Sequence, residues 1–215
     1  FAGAKYDGVF AYWYGKGPGV DRCGDVFKHA NAAGTARHGG VLLVAGDDHA
    51  CKSSTLPHQS EHAFDAAMIP VLYPTGVKEI IELGLHGFAL SRFSGCWIGM
   101  KCVTDTIESS ASVDISPDQA PVILAETDGT SLNIKWGVFP AMAEQQHYQS
   151  RIPRVKAFVK ANRLNRVVID AGGGPLGIVT SGKAHLDLMQ ALEEVGLDEA
   201  SCKAAGIGVF KVAMP

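Results

Sequence analysis

Apolar and polar positions fall in blocks along this chain. Val41–Ala45 is a short unbroken apolar run, the pattern of a strand buried on both faces. Gly8–Tyr14 (GVFAYWY), Ile69–Tyr73 (IPVLY) and Cys96–Val103 (CWIGMKCV) are similar and read as strands. Between them the period lengthens. A start at Asp21 or Asp25 predicts a helix carrying Val26, Phe27, Ala30 and Ala33. Gln59–Met68 predicts a helix with Phe64 and Met68 inward. Behind Pro74-Thr75-Gly76, Val77–Phe93 places Ile80, Ile81, Leu83, Leu85, Phe88 and Ala89 at helical spacing. Strands alternating with helices predict an α/β fold whose parallel sheet is covered on both faces.

Gly15–Gly19 (GKGPG) reads as a turn. From Thr104 to about Pro140, Ser, Asp, Thr and Pro are frequent and the strands Ser109–Ile115 and Val122–Leu124 are short, as in a crossover and linker. Ala141–Asn162 predicts a helix, kinked or interrupted at Pro153. Its late cations Arg151, Arg154, Lys156 and Lys160 suit a helix C-terminus. A second α/β pattern follows, with strands over Arg166–Asp170, Leu176–Thr180 and Ile207–Ala213 and a helix over Ala184–Val195. The expected units are residues 1–115, 116–160 and 161–215.

Candidate chemistry gathers directly after the Val41–Ala45 strand. Asp47, Asp48, His49, Cys51, Lys52, Ser53, Ser54, His58 and Gln59 crowd one loop. In open α/β sheets ligands sit beyond the carboxyl ends of the strands. Asp47, Asp48, His49, His58 and His62 are metal-ligand types, and His58 and His62 would share a helix face. The spacing matches no fixed metal motif, so none is assigned as a metal ligand. The plain alternative is a polar loop bonded to its own backbone, with Ser53, Ser54 and Thr55 capping the next helix. Cys51 beside Lys52 reads as a small buried cysteine rather than an activated thiol. Gly177–Lys183 (GIVTSGK) imitates a phosphate-binding loop, but Ala184 stands where Ser or Thr is needed, and a strand running into a helix explains it better. Trp13, Trp97, Phe88 and Phe93 read as core, and Gly172–Pro175 as a turn.

Composition narrows the class. The chain has 215 residues, 47% hydrophobic and 19% charged, with a net charge of −3. That balance is globular and argues against a nucleic-acid partner or an anionic membrane surface. Apolar runs fall short of the roughly 18–20 residues a spanning helix needs. No secretory signal is visible, and five scattered cysteines without C-x-x-C point to reduced thiols in the cytoplasm. A first residue Phe, and an end at Ala-Met-Pro directly behind an apolar run, read as a piece of a longer chain.

Four segments carry a resemblance: WYGKGPGVDRCGDVFKHANAAGT, GGVLLVAGDDHACKSSTLPHQSE, IPVLYPTGVKEIIELGLHGFALSR and LGIVTSGKAHLDLMQALEEVG. Together they resemble the indolepyruvate:ferredoxin oxidoreductases, thiamine-diphosphate-dependent enzymes of the 2-oxoacid:ferredoxin oxidoreductase family, in their long fused form. The resemblance implies oxidative decarboxylation of an aryl 2-oxoacid to an acyl-CoA, with thiamine diphosphate, Mg2+, coenzyme A, iron–sulfur clusters and ferredoxin as participants. Residues 1–115 would be the later part of the pyrimidine-binding domain, and residues 161–215 a transketolase C-terminal-like domain. Gly17, Pro18 and Gly19 match the family's GPG turn, where a side chain would obstruct close packing. Asp47, Asp48, His49, Lys52, Ser53, Ser54, His58 and Gln59 match a loop facing substrate and cofactor. His49 or His58 would shuttle a proton, and Ser53 and Ser54 would donate hydrogen bonds. The activating glutamate, the diphosphate site and the cluster cysteines would lie elsewhere, in the same polypeptide or a partner subunit of a homodimeric enzyme. The chain alone would then be inactive. Two other readings stand beside this one: a non-catalytic α/β subunit-interaction module, and a metal-dependent hydrolase built on Asp47, Asp48 and His49.

Overall fold

Two adjacent residues of the second strand settle the architecture. Leu42 packs with Leu72, Leu90, Ile98 and Phe158, whereas Leu43 packs with Val20, Phe27, Phe64 and Ile69. Side chains alternate across a strand, so the unbroken apolar run serves two cores, one on each face of a sheet. In the computed structural model, which describes residues 8–116, 118, 120–134 and 140–215, that sheet is built from β1 (Phe10–Lys16), β2 (Gly40–Asp47), β3 (Val71–Leu72) and β4 (Ile98–Val103). The strands are all parallel, in the order β1-β2-β4-β3. The α/β fold with a doubly covered parallel sheet is therefore present.

One face is covered by α1 (Gly17–Arg22), α2 (Gly24–Ala33) and α3 (Glu61–Ala66). The other is covered by α4 (Val77–Ser94) and α7 (Ile152–Ala161). Buried Asn31 ties the first layer together. Its amide donates to the carbonyls of Ala67 and Met68, both at 2.9 Å, and its oxygen accepts from Trp97 N–H at 2.9 Å. Gly95 ends α4 in the left-handed region, φ 80°.

Several elements differ from their expected form. Gly15–Gly19 is not a turn: β1 runs to Lys16, and α1 starts at Gly17 with Pro18 in its first turn, where a missing N–H costs nothing. Ser109–Ile115 and Val122–Leu124 are irregular. Ile123 spends both backbone groups on the Asn162 side chain instead of a neighbouring strand. A short helix, α5 (Thr104–Ile107), follows β4. The expected 141–162 helix is split into α6 (Pro140–Gln146), a π-helical turn His147–Arg151, and α7. The wide turn lies directly before Pro153, which has no N–H to donate back into an α-helical ladder.

The second sheet holds β5 (Arg166–Ile169), β6 (Leu176–Ser181) and β7 (Ile207–Val212) in the order β5-β7-β6, antiparallel then parallel. The GIVTSGK segment is indeed strand then helix, β6 leading into α8 (Lys183–Glu194). A further helix, α9 (Glu199–Ala205), escaped the periodicity. Asp198 caps it on Ser201 N–H, and left-handed Gly206 ends it, both readable signals. Tyr73 N–H donates to the Ala213 carbonyl at 2.8 Å, joining the end of β7 to the first sheet.

All five cysteines are free thiols. Burial pushes the Cys96 and Cys102 thiols up to about 11, and Cys202 is buried as well. Cys51 is only partly buried, contrary to expectation, and holds φ 55° in the loop after β2. Since the thiolate is the reactive form, maleimide at pH 8 is expected to modify Cys23 and Cys51 rapidly. Cys96, Cys102 and Cys202 should react only after denaturation; peptide mass mapping of labelled native protein checks this.

Candidate functional site

The parallel strands β2 and β4 deliver Asp47 and Lys101 toward the same end of the sheet, two residues and one strand apart in register (Ala45 pairs with Lys101). Asp47 is buried, and Ser60 grips both its oxygens: N–H to Oδ2 at 2.8 Å and Oγ–H to Oδ1 at 2.6 Å. Asp48 turns the other way and closes its own loop, accepting from the N–H groups of Lys52 and Ser53 at 2.8 Å each. The Ser53 N–H holds the Asp48 carboxyl below the usual carboxylate range, against the opposing effect of burial. Asp48 therefore shapes the loop, and the Asp47/Asp48/His49 grouping expected for a hydrolase does not assemble. The self-bonded loop is present, but Ser53–Thr55 cap nothing: α3 begins after Ser60 with no side-chain cap.

His58 lies before α3, bridged to Asp48 through the backbone, so it shares no helix face with His62. Its Nε2 is 3.1 Å from Asp21 Oδ2, and its Nδ1 is 3.7 Å from Asp47 Oδ1. Gly17 explains how the ring fits: a Cβ there would lie inside the imidazole. Pro18 starts α1 and Gly19 lies against Trp13. Gly17→Ala is therefore expected to dislodge His58 and lower stability by about 1–3 kcal/mol, the usual range for overpacking. Gly19→Ala, whose Cβ would meet the Trp13 ring at 3.4 Å, should cost far less. Thermal melting of the two variants, with the His58 imidazole followed by NMR, checks both.

The remaining loop residues divide. Lys52 pairs with Asp105 at 2.9 Å, which raises its pKa, and Ser53 lends its carbonyl to Lys16. Ser54 Oγ is buried without a hydrogen-bond partner. His49 and Gln59 instead join Glu61, His62 and Lys101 around a cavity of about 330 Å3. Lys101 is buried, hydrogen-bonds Glu61 Oε1 and sits 4.5 Å from the Tyr73 ring centroid. Burial resists ionisation of Glu61, but the Lys101 hydrogen bond and charge, its own backbone N–H and the nearby His49 together outweigh it, and the carboxyl lies below its ordinary value. Burial, reinforced by Glu61, pushes the Tyr73 phenol up. Lys101 and Glu61 were missed as site residues. Lys101 hides inside an apolar strand, although a lysine at a fully buried strand position is itself a signal. A larger groove of about 940 Å3 lies between α7 and β3, floored by Ile69, Val71, Val155 and Met214 and rimmed by Lys156 and Lys160. It meets the polar cavity only at Glu61.

This layout has known counterparts. Over 94% of its length the chain superposes on 41% of a 2-oxoglutarate:ferredoxin oxidoreductase from Magnetococcus marinus, solved with 2-oxoglutarate, coenzyme A and succinyl-CoA bound, with TM-score 0.59 and 13% identity. The chain thus shares the fold of that part of the enzyme. Residues 166–215 match the indolepyruvate oxidoreductase domain family. The chain is 24% identical over 197 residues to the indolepyruvate oxidoreductase subunit IorA of Methanothermobacter marburgensis, and 25% over 199 residues to that of Methanothermobacter thermautotrophicus. Each alignment covers 92% of this chain and 32% of the relative. The chain is therefore similar to indolepyruvate and 2-oxoacid:ferredoxin oxidoreductases, and it spans about a third of the length of the IorA relatives. Among the described residues no helix is long and apolar enough to cross a membrane.

Thiamine diphosphate with magnesium calls for hard oxygen donors beside the diphosphate. Asp48 is spent on its loop, and the cavity offers an imidazole and a lysine-paired carboxylate. The diphosphate end of that cofactor does not fit these residues.

Proposed function

We propose that this chain forms one wall of the substrate site of a 2-oxoacid:ferredoxin oxidoreductase that converts indolepyruvate, or a related aryl 2-oxoacid, to its acyl-CoA and passes electrons to ferredoxin. The observation carrying this reading is the small polar cavity at the carboxyl ends of β2 and β4, lined by His49, Gln59 and buried Lys101, in a chain that aligns with IorA over 92% of its length. A 2-oxoacid brings a carboxylate and a ketone oxygen. Preorganised donors stabilise such negative charge. Lys101 and Gln59 supply donors. His49 lines the cavity and is the better placed proton carrier; His58, between Asp21 and Asp47, positions the wall.

Thiamine diphosphate, Mg2+, coenzyme A sites and iron–sulfur clusters belong to the remainder of the polypeptide or to a partner subunit in a cytoplasmic, homodimeric enzyme. Residues 1–115 act as part of a pyrimidine-binding domain and residues 161–215 as a transketolase C-terminal-like domain. In the complete enzyme, His49→Ala is expected to lower indolepyruvate-dependent ferredoxin reduction at least 100-fold, the usual worth of a positioned acid or base. His58→Ala should cost less. Unchanged turnover in both variants would remove the proposed roles, and preference for 2-oxoglutarate over aryl 2-oxoacids would overturn the substrate class.

A further inference from the structure

One donor set near the cavity has a shape that substrate binding does not require. Ligand atoms of Asp47, His49 and Glu61 all lie within 4.8 Å of one another. Two carboxylates and an imidazole are a borderline-to-hard set suited to a divalent first-row transition ion. Donors around such an ion stand roughly 3.3–3.6 Å apart, given metal–ligand distances of about 2.0–2.2 Å. Side-chain adjustments of about an ångström therefore close this set on a metal.

Three separate features support a ligand here. Glu61 gives Oε1 to Lys101, and its Oε2 is buried with no hydrogen-bond partner. A buried acceptor left unpaired is costly, and a cation would satisfy it. Asp47 is oriented by Ser60 through both oxygens, the kind of outer support that fixes metal-binding carboxylates. The adjoining cavity of about 330 Å3 leaves room for water on the open side of a three-ligand ion. Charge agrees in sign: Asp47 and Glu61 against Lys101 leave one net negative charge. Lys101 competes for Glu61, so the affinity is moderate and its removal should strengthen binding.

We propose that Asp47, His49 and Glu61 form a three-ligand site for a divalent transition ion, separate from the magnesium of the thiamine cofactor. The inference rests on these side chains and not on the oxidoreductase reading; an ion held by His49 would block the proton transfer proposed for it, so Zn2+ should lower turnover of the complete enzyme, whereas the binding data below test the site by itself. The test is calorimetric titration of the 215-residue chain with Zn2+ in the presence of millimolar Mg2+, together with the visible spectrum of the Co2+ form. One Zn2+ per chain is expected. His49→Ala and Glu61→Gln should each weaken binding at least tenfold. Lys101→Met should tighten it severalfold, a response that an adventitious surface site lacks. His29→Ala, altering an exposed histidine paired with Asp25, should change nothing. Circular dichroism of each variant separates lost binding from lost folding. Absence of saturable Zn2+ binding, displacement by Mg2+, or affinity lost in His29→Ala but kept in His49→Ala would each overturn the site.

Discussion

Replacing Arg151 with methionine is expected to destabilise the protein by about 3 kcal/mol or more, because carbonyl groups at a helix end would lose charged donors. Arg151 is among the most deeply buried large side chains. Its guanidinium donates to the carbonyls of Asn31, Ala32 and Ala33 at 2.8, 3.0 and 3.3 Å, all at the C-terminus of α2. These carbonyls have no partner within their own helix, and they form the negative end of its dipole. Gly34 makes the approach possible: it holds φ 100°, and a Cβ on it would collide with the guanidinium. Methionine keeps most of the volume and removes every donor. Arg151→Lys should recover little, since one ammonium cannot reproduce a planar fork that serves three acceptors. Urea denaturation followed by circular dichroism gives both values. A loss below about 1 kcal/mol for Arg151→Met would show that water replaces the guanidinium without cost.

Arg151 also marks where the sequence is hard to read. Grouped with Arg154, Lys156 and Lys160, it looks like a cation at the end of its own helix. Its acceptors lie 118 to 120 residues away, and local pattern carries no information about such a partner. Lys101 and Glu61 are alike in this respect, 40 positions apart. By contrast, β2, β4 and α4 were legible because their burial is decided locally, by unbroken apolar runs and a 3.6-residue period ended by Gly95. The GPG segment misled because proline and glycine serve turns and helix starts equally well. The strands assigned to Ser109–Ile115 and Val122–Leu124 had suitable composition but no neighbouring strand, and strand formation depends on pairing. The polar loop after β2 was located correctly. Which of its residues face the cavity depended on Asp48 folding the loop back on itself, a choice that the residue order GDDH leaves open.

The same distinction between local pattern and distant partner governs the contact between the two sheets. Glu79 on α4 and Lys211 on β7 form a buried ion pair across 132 positions. Thr75 donates its N–H and its hydroxyl to Glu79 Oε2 at 3.0 and 2.9 Å, and Arg166 stands 3.6 Å from Oε1. Breaking this pair from one side is expected to cost about 3–5 kcal/mol, since Glu79→Ala would leave the Lys211 ammonium buried without its carboxylate. The double variant Glu79→Met/Lys211→Met should fall within about 1 kcal/mol of the parent, because burial of both charges consumes most of their mutual attraction. The acid limb of the stability profile offers a second check. Burial opposes ionisation of Glu79, yet Lys211 and the Thr75 donors outweigh it and hold the folded carboxyl below its ordinary value of 4.5. A depressed carboxyl stabilises the fold above its unfolded pKa, and that stability is lost as pH falls through the folded value. His147, kept neutral by burial, adds to the loss below about pH 6.5, where the unfolded imidazole takes up a proton that the folded one resists. Stability measured from pH 7 to pH 3 should therefore fall less steeply below pH 4.5 in Glu79→Met/Lys211→Met than in the parent. Identical acid limbs would mean that the pair does not carry the acid sensitivity of this contact.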